Sequence, residues 1–412
     1  MSSSLCIWHI SKYVAPAKYA KVGSRGFFLM REMSRAGHRC VMFCSDSTHV
    51  AEPPRLQEAY VRDLQEGVEV WWVRTLKYSG AKSLRRALSW LHFEWQLFRM
   101  PTTNIPRPDI VIASSLSLFS VLSGLYFSYR FKAKFVFEVR DIWPLILHDG
   151  GGFSRWNPFV LALGAIEKLG YHRADLVVGT MPNLNEHVRR RINKKKAFVC
   201  IPMGVDTDSV DSGCSLPEGF NEKFLSSGKF IVCHAGSIGT DNALETFFSC
   251  ALQMRSDDSV LFLVVGDGYL KSKYISEFGQ LPNVVFAPRI PKASVGALLE
   301  KCDLLYFATH DSEALRYGQS LNKLVDYMLS GTPVVGSYSG FPSMINEAES
   351  GVFVPAGDVL ALKNAIEEFR GMSQSGRREL GARGRVWLLA NRSYVTLASK
   401  YCDALCRLVP VD

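Results

Sequence analysis

The sequence predicts an α/β protein built from two doubly wound, mostly parallel sheets. Candidate strands occur singly, separated by helical stretches, which is the pattern of parallel sheets with crossover helices. The series runs once through residues 1–205 and then starts again at Phe230, after a Gly-, Asp-, Ser- and Pro-bearing stretch over Gly204–Glu222. At 412 residues, 47% apolar and 21% charged, the chain is too long for one ordinary core and suits two domains of roughly 200 residues.

In the first half the expected strands are Leu5–His9, Arg39–Cys44, Val68–Val73, Ile110–Ala113, Phe135–Glu138, Leu176–Gly179 and Ala197–Ile201. The second half supplies Phe230–His234, Val260–Val265, Val284–Ala287, Leu304–Phe307, Pro333–Val335 and Gly351–Val354. Each is a short apolar run of the kind buried on both faces of a parallel sheet. A final helix is expected from about Arg383 to Leu408. The expected division is 1–205, 206–382 and a terminal segment 383–412. No internal repeat or low-complexity tract interrupts the pattern.

Ten scattered cysteines include no Cys-x-x-Cys pair, and no export signal leads the chain, so reduced thiols and a cytoplasmic location are expected. Residues 110–129 carry no charge, but six of the twenty are serines, and the stretch reads as a strand followed by a helix rather than a membrane span. Charge is unevenly shared: 29 Lys/Arg against 15 Asp/Glu in residues 1–205, and 19 against 24 in the remainder. A net +14 half suggests an anionic partner. No nucleic-acid recognition motif accompanies it. Lys82, Arg85, Arg86, Trp90, Phe93, Trp95, Phe98 and Arg99 within residues 82–100 suit an anionic membrane surface or, equally, an amphipathic helix packed on its own domain.

The most informative segment is Tyr317-Gly-Gln-Ser-Leu-Asn-Lys-Leu-Val-Asp-Tyr-Met-Leu-Ser-Gly-Thr-Pro-Val-Val335. Gly318 and Ser320 let backbone N–H groups approach phosphate oxygens, and a helix starting near Leu321-Asn322 adds its positive end. Lys323 can neutralise a diphosphate there, and Asp326 can accept from a pair of sugar hydroxyls. A second signal is Phe135-Val-Phe-Glu-Val-Arg-Asp-Ile-Trp-Pro144. A buried strand ends in Arg140 and Asp141, which are too costly to leave unpaired in a core.

The 317–335 stretch resembles the nucleotide-sugar loop of GT-B glycosyltransferases of the group 1 (family 4) type. Asp326 matches the second acid of that loop, while Gly318 stands where the first is usual. Tyr-Gly-x-Ser-x-Asn-Lys, with Arg140-Asp-Ile-Trp-Pro144, Glu167-Lys168, Tyr171 and Arg173-Ala-Asp175, resembles a WbuB-like bacterial subgroup. The resemblance implies two Rossmann-like domains facing across a cleft, with the C-terminal helix returning to the first. It also implies retaining transfer of a sugar from a nucleotide donor, a UDP-sugar such as the UDP-N-acetylhexosamine type. The implied acceptor is a polyprenyl-diphosphate-linked saccharide in O-antigen, lipopolysaccharide or capsule synthesis, with the protein peripheral on the inner face of the membrane.

Further candidates follow from the same resemblance. Gly236 and Ser237 lie where relatives carry an arginine–lysine phosphate grip, but Ser237 and Asn242 replace the two bases, leaving Lys323 as the evident substitute. Gly266 and Gly268 end another strand, and Arg289 and Ile290 lie where the nucleobase is read. Asp141 would orient or deprotonate the acceptor hydroxyl, and Arg140 would hold a phosphate or pair with Glu138. The loop Val14–Arg25 resembles the flexible acceptor-side loop, with Gly23 and Arg25 as contacts. Ile201-Pro-Met-Gly-Val-Asp206 resembles the interdomain turn, where Gly204 can take a positive φ. No metal or cofactor is called for: there is no His-Glu-x-x-His, and Asp206-Thr-Asp208 lies in that turn. A nucleotide-sugar epimerase on the same fold and a non-catalytic nucleotide-sugar-binding partner are the alternatives.

Overall fold

The computed structural model describes residues 4–20, 24–78, 84–149, 152–212 and 214–409. The chain forms two compact units, one of residues up to Met203 together with Tyr394 onward, the other Gly204–Ser393. The expected contact Gly23 lies outside the described residues.

The first unit is built on eight strands: β1 (Cys6–Ile10), β2 (Arg39–Ser45), β3 (Tyr60–Gln65), β4 (Val68–Val73), β5 (Ile110–Ser114), β6 (Lys134–Val139), β7 (Leu176–Gly179) and β8 (Phe198–Cys200). Their order is β3-β4-β2-β1-β5-β6-β7-β8. The helices are α1 (Arg25–Arg35), α2 (Leu84–Arg99), α3 (Ser120–Phe131), α4 (Leu145–Asp149), α5 (Pro158–Arg173) and α6 (Leu184–Ile192). Residues 110–129 are therefore β5 and most of α3, and among the described residues no helix is long and apolar enough to cross a membrane.

The second unit contains α7 (Phe220–Phe224), β9 (Phe230–Ala235), α8 (Glu245–Gln253), β10 (Val260–Val265), α9 (Lys271–Phe278), β11 (Val284–Ala287), α10 (Val295–Leu299) and β12 (Leu304–Ala308). It continues through α11 (Asn322–Leu329), β13 (Val334–Ser337), α12 (Met344–Glu347), β14 (Gly351–Val354), α13 (Val359–Gly371) and α14 (Gln374–Arg392). Its sheet runs β11-β10-β9-β12-β13-β14 with every neighbouring pair parallel. Successive crossovers thus leave β9 in one direction and β12 in the other, so the sheet's switch point lies between the carboxyl ends of these two strands. Ligands of open α/β sheets bind at that place.

All the expected strands are present to within two residues. One more, β3, was not expected. It pairs antiparallel with β4 through the two-residue turn Glu66-Gly67, both at positive φ (46° and 83°). Its sequence Tyr-Val-Arg-Asp-Leu-Gln is charged and half exposed because it is an edge strand, and charge at an edge discourages pairing with other chains. The expected single terminal helix is two: α14 ends at Arg392, Ser393 is extended, and α15 (Tyr394–Cys406) begins anew. α15 joins the first unit, where Tyr394 stacks on Phe28 at 5.1 Å and Tyr401 and Leu405 enter the core beside β1. Gly204 does not use a positive φ. The chain there runs on in extended form, and Val205 donates to the Arg392 carbonyl at 2.9 Å.

Candidate active site

Three loops meet at the switch point of the second sheet. The 236–242 loop follows β9, the 266–270 loop follows β10, and the 309–321 segment follows β12 and leads into α11. The first two are stacked backbone to backbone. Gly236 donates to the Val265 carbonyl and Ile238 to the Asp267 carbonyl, each at 2.9 Å. A Cβ on Gly266 would lie 1.8 Å from the Gly236 oxygen, and one on Gly268 would lie 2.2 Å from the Ile238 oxygen. Gly266 is also at φ +149°, which disfavours a side chain. These two glycines bring loop to loop.

Lys323 sits in the first turn of α11, and its ammonium hydrogen-bonds the Asn242 side-chain oxygen. Asn242 in turn donates at 2.9 Å to both the carbonyl and the hydroxyl of Ser237. A Cβ added to Gly236 would lie 3.7 Å from the Lys323 nitrogen. Ser237 and Asn242 therefore hold one lysine that arrives from another strand's end. Tyr327, one turn along α11, fixes this placement. Its hydroxyl receives the Ala235 N–H at 3.0 Å and lies 3.2 Å from the carbonyl oxygens of Ala235 and Tyr306, so α11 is pinned to the ends of β9 and β12.

Burial pushes the Lys323 ammonium down to about 8, partly opposed by Asp241. At neutral pH it remains mostly charged. His234, fully buried beneath it, is pushed down to about 3 by burial and by Lys323, and is a neutral imidazole. The Lys323 charge thus faces the loop carrying Gly236 and Ser237.

Asp326, expected to accept from sugar hydroxyls, is ion-paired with Lys292. A sugar would have to share the carboxylate or displace the lysine. The pair brings the Arg289–Lys292 segment beside α11. Arg289 is exposed, whereas the Ile290 side chain is buried, leaving its backbone to meet a ligand. Leu321 is the extended N-cap of α11, Asn322 its first residue and Ser320 is half-buried just before it. Sequence reasoning missed Gln319, whose two side-chain polar atoms are buried without a partner among the described residues. It also missed Lys271, which donates to the carbonyls of Gly266 and Ala287 at 2.7 and 3.0 Å and ties two of these segments together.

In the first unit, Arg140 and Asp141 follow directly on β6. No ion pair joins them among the described residues, and neither side chain has a hydrogen-bond partner there. Ser115 instead binds the Arg140 N–H at 3.0 Å and holds the backbone. Asp141 reaches solvent, and the crowding around it raises its carboxyl against the pull of Arg140. Arg140 is lowered by burial and by the nearby Arg25. Arg25 is not presented to a ligand. Its guanidinium is fully enclosed, with Glu138 at 2.9 Å and the carbonyls of Ile201 and Pro202 at 2.6 and 3.1 Å. Glu138 pairs with Arg25 rather than with Arg140, and also accepts from Ser114 at 3.0 Å.

A second buried charge cluster lies at the end of β1, and no motif announced it. Lys12 is enclosed, donating to Ser45 Oγ at 3.1 Å and to the Ser47 carbonyl at 2.8 Å, and burial pushes it down to about 7. Burial pushes Glu94 up to about 7; it accepts from Ser120 at 3.3 Å and leaves Oε2 without a partner. A carboxyl raised on folding favours the fold while it is protonated in both states. That advantage fades as pH rises from the unfolded value near 4.5 to about 7. Glu94→Gln, which mimics the protonated form, should therefore match the parent near pH 4.5 and exceed it at pH 8 by about 1–3 kcal/mol. Denaturant unfolding at the two pH values checks this, and equal stabilities at pH 8 would refute it. Among the described residues, no group of three or more His, Cys, Asp or Glu is placed to hold a metal.

Comparison with known proteins agrees with this geometry. Residues 28–204 match the family described as "Glycosyl transferase 4-like domain", and residues 229–370 match "Glycosyl transferases group 1". Phosphatidyl-myo-inositol mannosyltransferase of Mycobacterium leprae is 29% identical over 170 residues, which span 40% of this chain and 42% of that protein. Among solved structures, sucrose-phosphate synthase from Thermosynechococcus elongatus superposes with a TM-score of 0.75 at 17% identity, covering 98% of this chain and 99% of the other. An E. coli trehalose-6-phosphate structure bound with UDP-2-fluoro glucose gives 0.71 at 12% identity, covering 98% and 100%. Anabaena HepE in complex with UDP and glucose gives 0.66 at 15%, covering 97% and 99%. These likenesses establish the fold as GT-B. With a 4-like first domain and a group 1 second domain, the chain belongs to the group 1 glycosyltransferases of GT-B type.

Proposed function

We propose that this chain is a retaining, metal-independent glycosyltransferase of the WbuB-like kind. It moves a sugar from a UDP-linked donor, of hexose or N-acetylhexosamine type, to a lipid-diphosphate-linked saccharide in surface polysaccharide synthesis. The observation that carries this reading is Lys323 held by Asn242 beside Gly236 and Ser237, at the switch point of the second sheet. As the anomeric C–O bond to the diphosphate breaks, negative charge grows on the departing oxygens. A fixed ammonium and the N-terminus of α11 would stabilise it. That HepE was solved with UDP and glucose supports a UDP-sugar donor. In the first domain, Asp141 is the acceptor-side base and Arg140 an anion contact.

A thermal-shift screen of UDP-, GDP- and dTDP-sugars tests the donor. One family of donors at a hundred times its Kd should stabilise by about 2.7 kcal/mol. Transfer should survive EDTA; activity lost in EDTA and restored by Mg²⁺ or Mn²⁺ would refute the metal-independent reading.

Peripheral attachment is proposed for the outer face of α2, where Leu88, Leu91, Trp95 and Phe98 are 54%, 48%, 49% and 37% exposed. Arg99 lies 4.6 Å over the Trp95 ring. Arg86 packs instead on Tyr13 and Trp90, so Arg85 and Arg99 are the arginines to replace. Flotation on anionic vesicles should fall with salt, as the screening length shortens from about 10 Å at 0.1 M to about 3 Å at 1 M. It should fall again with Arg85→Ala/Arg99→Ala. Binding that only detergent reverses would overturn it.

A further inference from the structure

The first unit carries a pocket of about 560 Å³ that the donor site does not use. It lies beyond the carboxyl ends of β2 and β4, and Arg55, Arg74, Lys77, His92 and Asp46 are its ionisable lining. Asp46 is taken up by Lys77 at 2.7 Å. Arg74 donates to the Gln57 carbonyl at 2.7 Å, a neutral partner that leaves its charge uncancelled. The Arg55 guanidinium has no partner among the described residues and is exposed. His92 accepts the Leu76 N–H on Nδ1 at 3.3 Å, which puts its proton on Nε2 and makes that nitrogen a donor. Beside the Lys77–Asp46 pair, the pocket therefore holds two uncompensated guanidinium groups and an N–H donor, a set suited to a phosphate or diphosphate.

What adjoins the pocket narrows the ligand. His92 shares the outer face of α2 with Leu88, Leu91, Trp95 and Phe98, which recur every three or four residues and point to solvent. The opposite face, with Trp90, Phe93 and Leu97, is buried. An anion site that opens at the edge of an exposed apolar stripe matches an amphiphile whose head is phosphorylated and whose tail is apolar. We infer that this pocket binds the phosphate or diphosphate group of a lipid, with its chain lying along Leu88, Leu91 and Trp95. The assignment gives chemical form to the lipid-linked acceptor proposed above and rests on that reading.

The test is calorimetric titration of the full-length protein, saturated with UDP so that the donor site is blocked, with farnesyl diphosphate, inorganic diphosphate and farnesol. Farnesyl diphosphate should bind more tightly than either fragment. Arg55→Ala/Arg74→Ala should weaken it by about tenfold or more, the scale of losing charge-assisted contacts. Leu91→Ser/Trp95→Ser should weaken farnesyl diphosphate and leave inorganic diphosphate unchanged. UDP binding, measured in parallel, should be the same in all variants, which also shows that they fold. Equal affinity for inorganic and farnesyl diphosphate would overturn the lipid assignment in favour of a free phosphate. Farnesyl diphosphate binding that is absent, or indifferent to both variant pairs, would overturn the site altogether. If UDP itself fails to bind while the variants still abolish farnesyl diphosphate binding, the donor reading falls and the pocket assignment stands.

Discussion

Lys323→Ala is expected to lower turnover by about a hundredfold or more, the scale of losing one preorganised partner to transition-state charge. It should also weaken UDP binding. The reason is local: Ser237 and Asn242 are neutral, so this ammonium is the cation that their loop holds. With the lysine pushed down to about 8 by burial, it is protonated below that value and loses its charge above it. Activity should decline on the alkaline side, at a value raised somewhat when the diphosphate is bound. Lys323→Arg should move that decline to higher pH, provided the longer side chain still reaches Asn242. Steady-state kinetics with the preferred donor across pH 6–10 reads both effects. Unaltered turnover in Lys323→Ala would remove the lysine from the mechanism.

Glu138→Ala is expected to destabilise the first domain by about 3–5 kcal/mol, because it leaves Arg25 enclosed without its counter-charge. Arg25 and Glu138 are 0% and 1% exposed in their side chains, 2.9 Å apart. Arg25 and the neighbouring His9 hold the Glu138 carboxyl far below the usual carboxylate range, against the opposing effect of burial. A depressed carboxyl contributes stability above its unfolded value, near 4.5, and loses that contribution as pH falls below it. The difference between parent and variant should therefore be full at pH 7 and shrink in strong acid. Denaturant unfolding followed by tryptophan fluorescence measures it. A variant within about 0.5 kcal/mol of the parent at pH 7 would show that the pair is not a structural anchor.

Much of this architecture is written locally. Val260-Leu-Phe-Leu-Val-Val265 can be little other than a strand buried on both faces, and glycines directly after it mark a tight loop. The absence of a basic pair at Ser237 and Asn242 pointed to Lys323, and the structure brings the three together. The misses share a physical cause, in that each depends on a partner remote in sequence. Arg25 looks like a ligand contact until Glu138, 113 residues away, is seen to enclose it. Asp326 is expected to accept from sugar hydroxyls, and nothing local announces the Lys292 that pairs with it. Edge strand β3 lacks the apolar run of an inner strand because only one side of it pairs. Lys12 and Glu94 carry no motif, and their titration is set wholly by how deeply the fold encloses them.

The first domain is finished by a helix that follows the whole second domain in sequence. Tyr394, Leu397, Ala398, Tyr401, Cys402 and Leu405 lie in the same core as Ile7, Phe27 and Met30. A ribosome that has released residues 1–203 must still translate the whole second domain before α15 emerges. At about 5–20 residues per second, that leaves α1 without its covering helix for roughly 10–40 s. During this interval Phe28 and its neighbours are open to chaperones or to a second nascent chain. A stop codon at Tyr394 would therefore spoil the domain made first, and the second domain, whose residues run to Ser393, would be the part that survives.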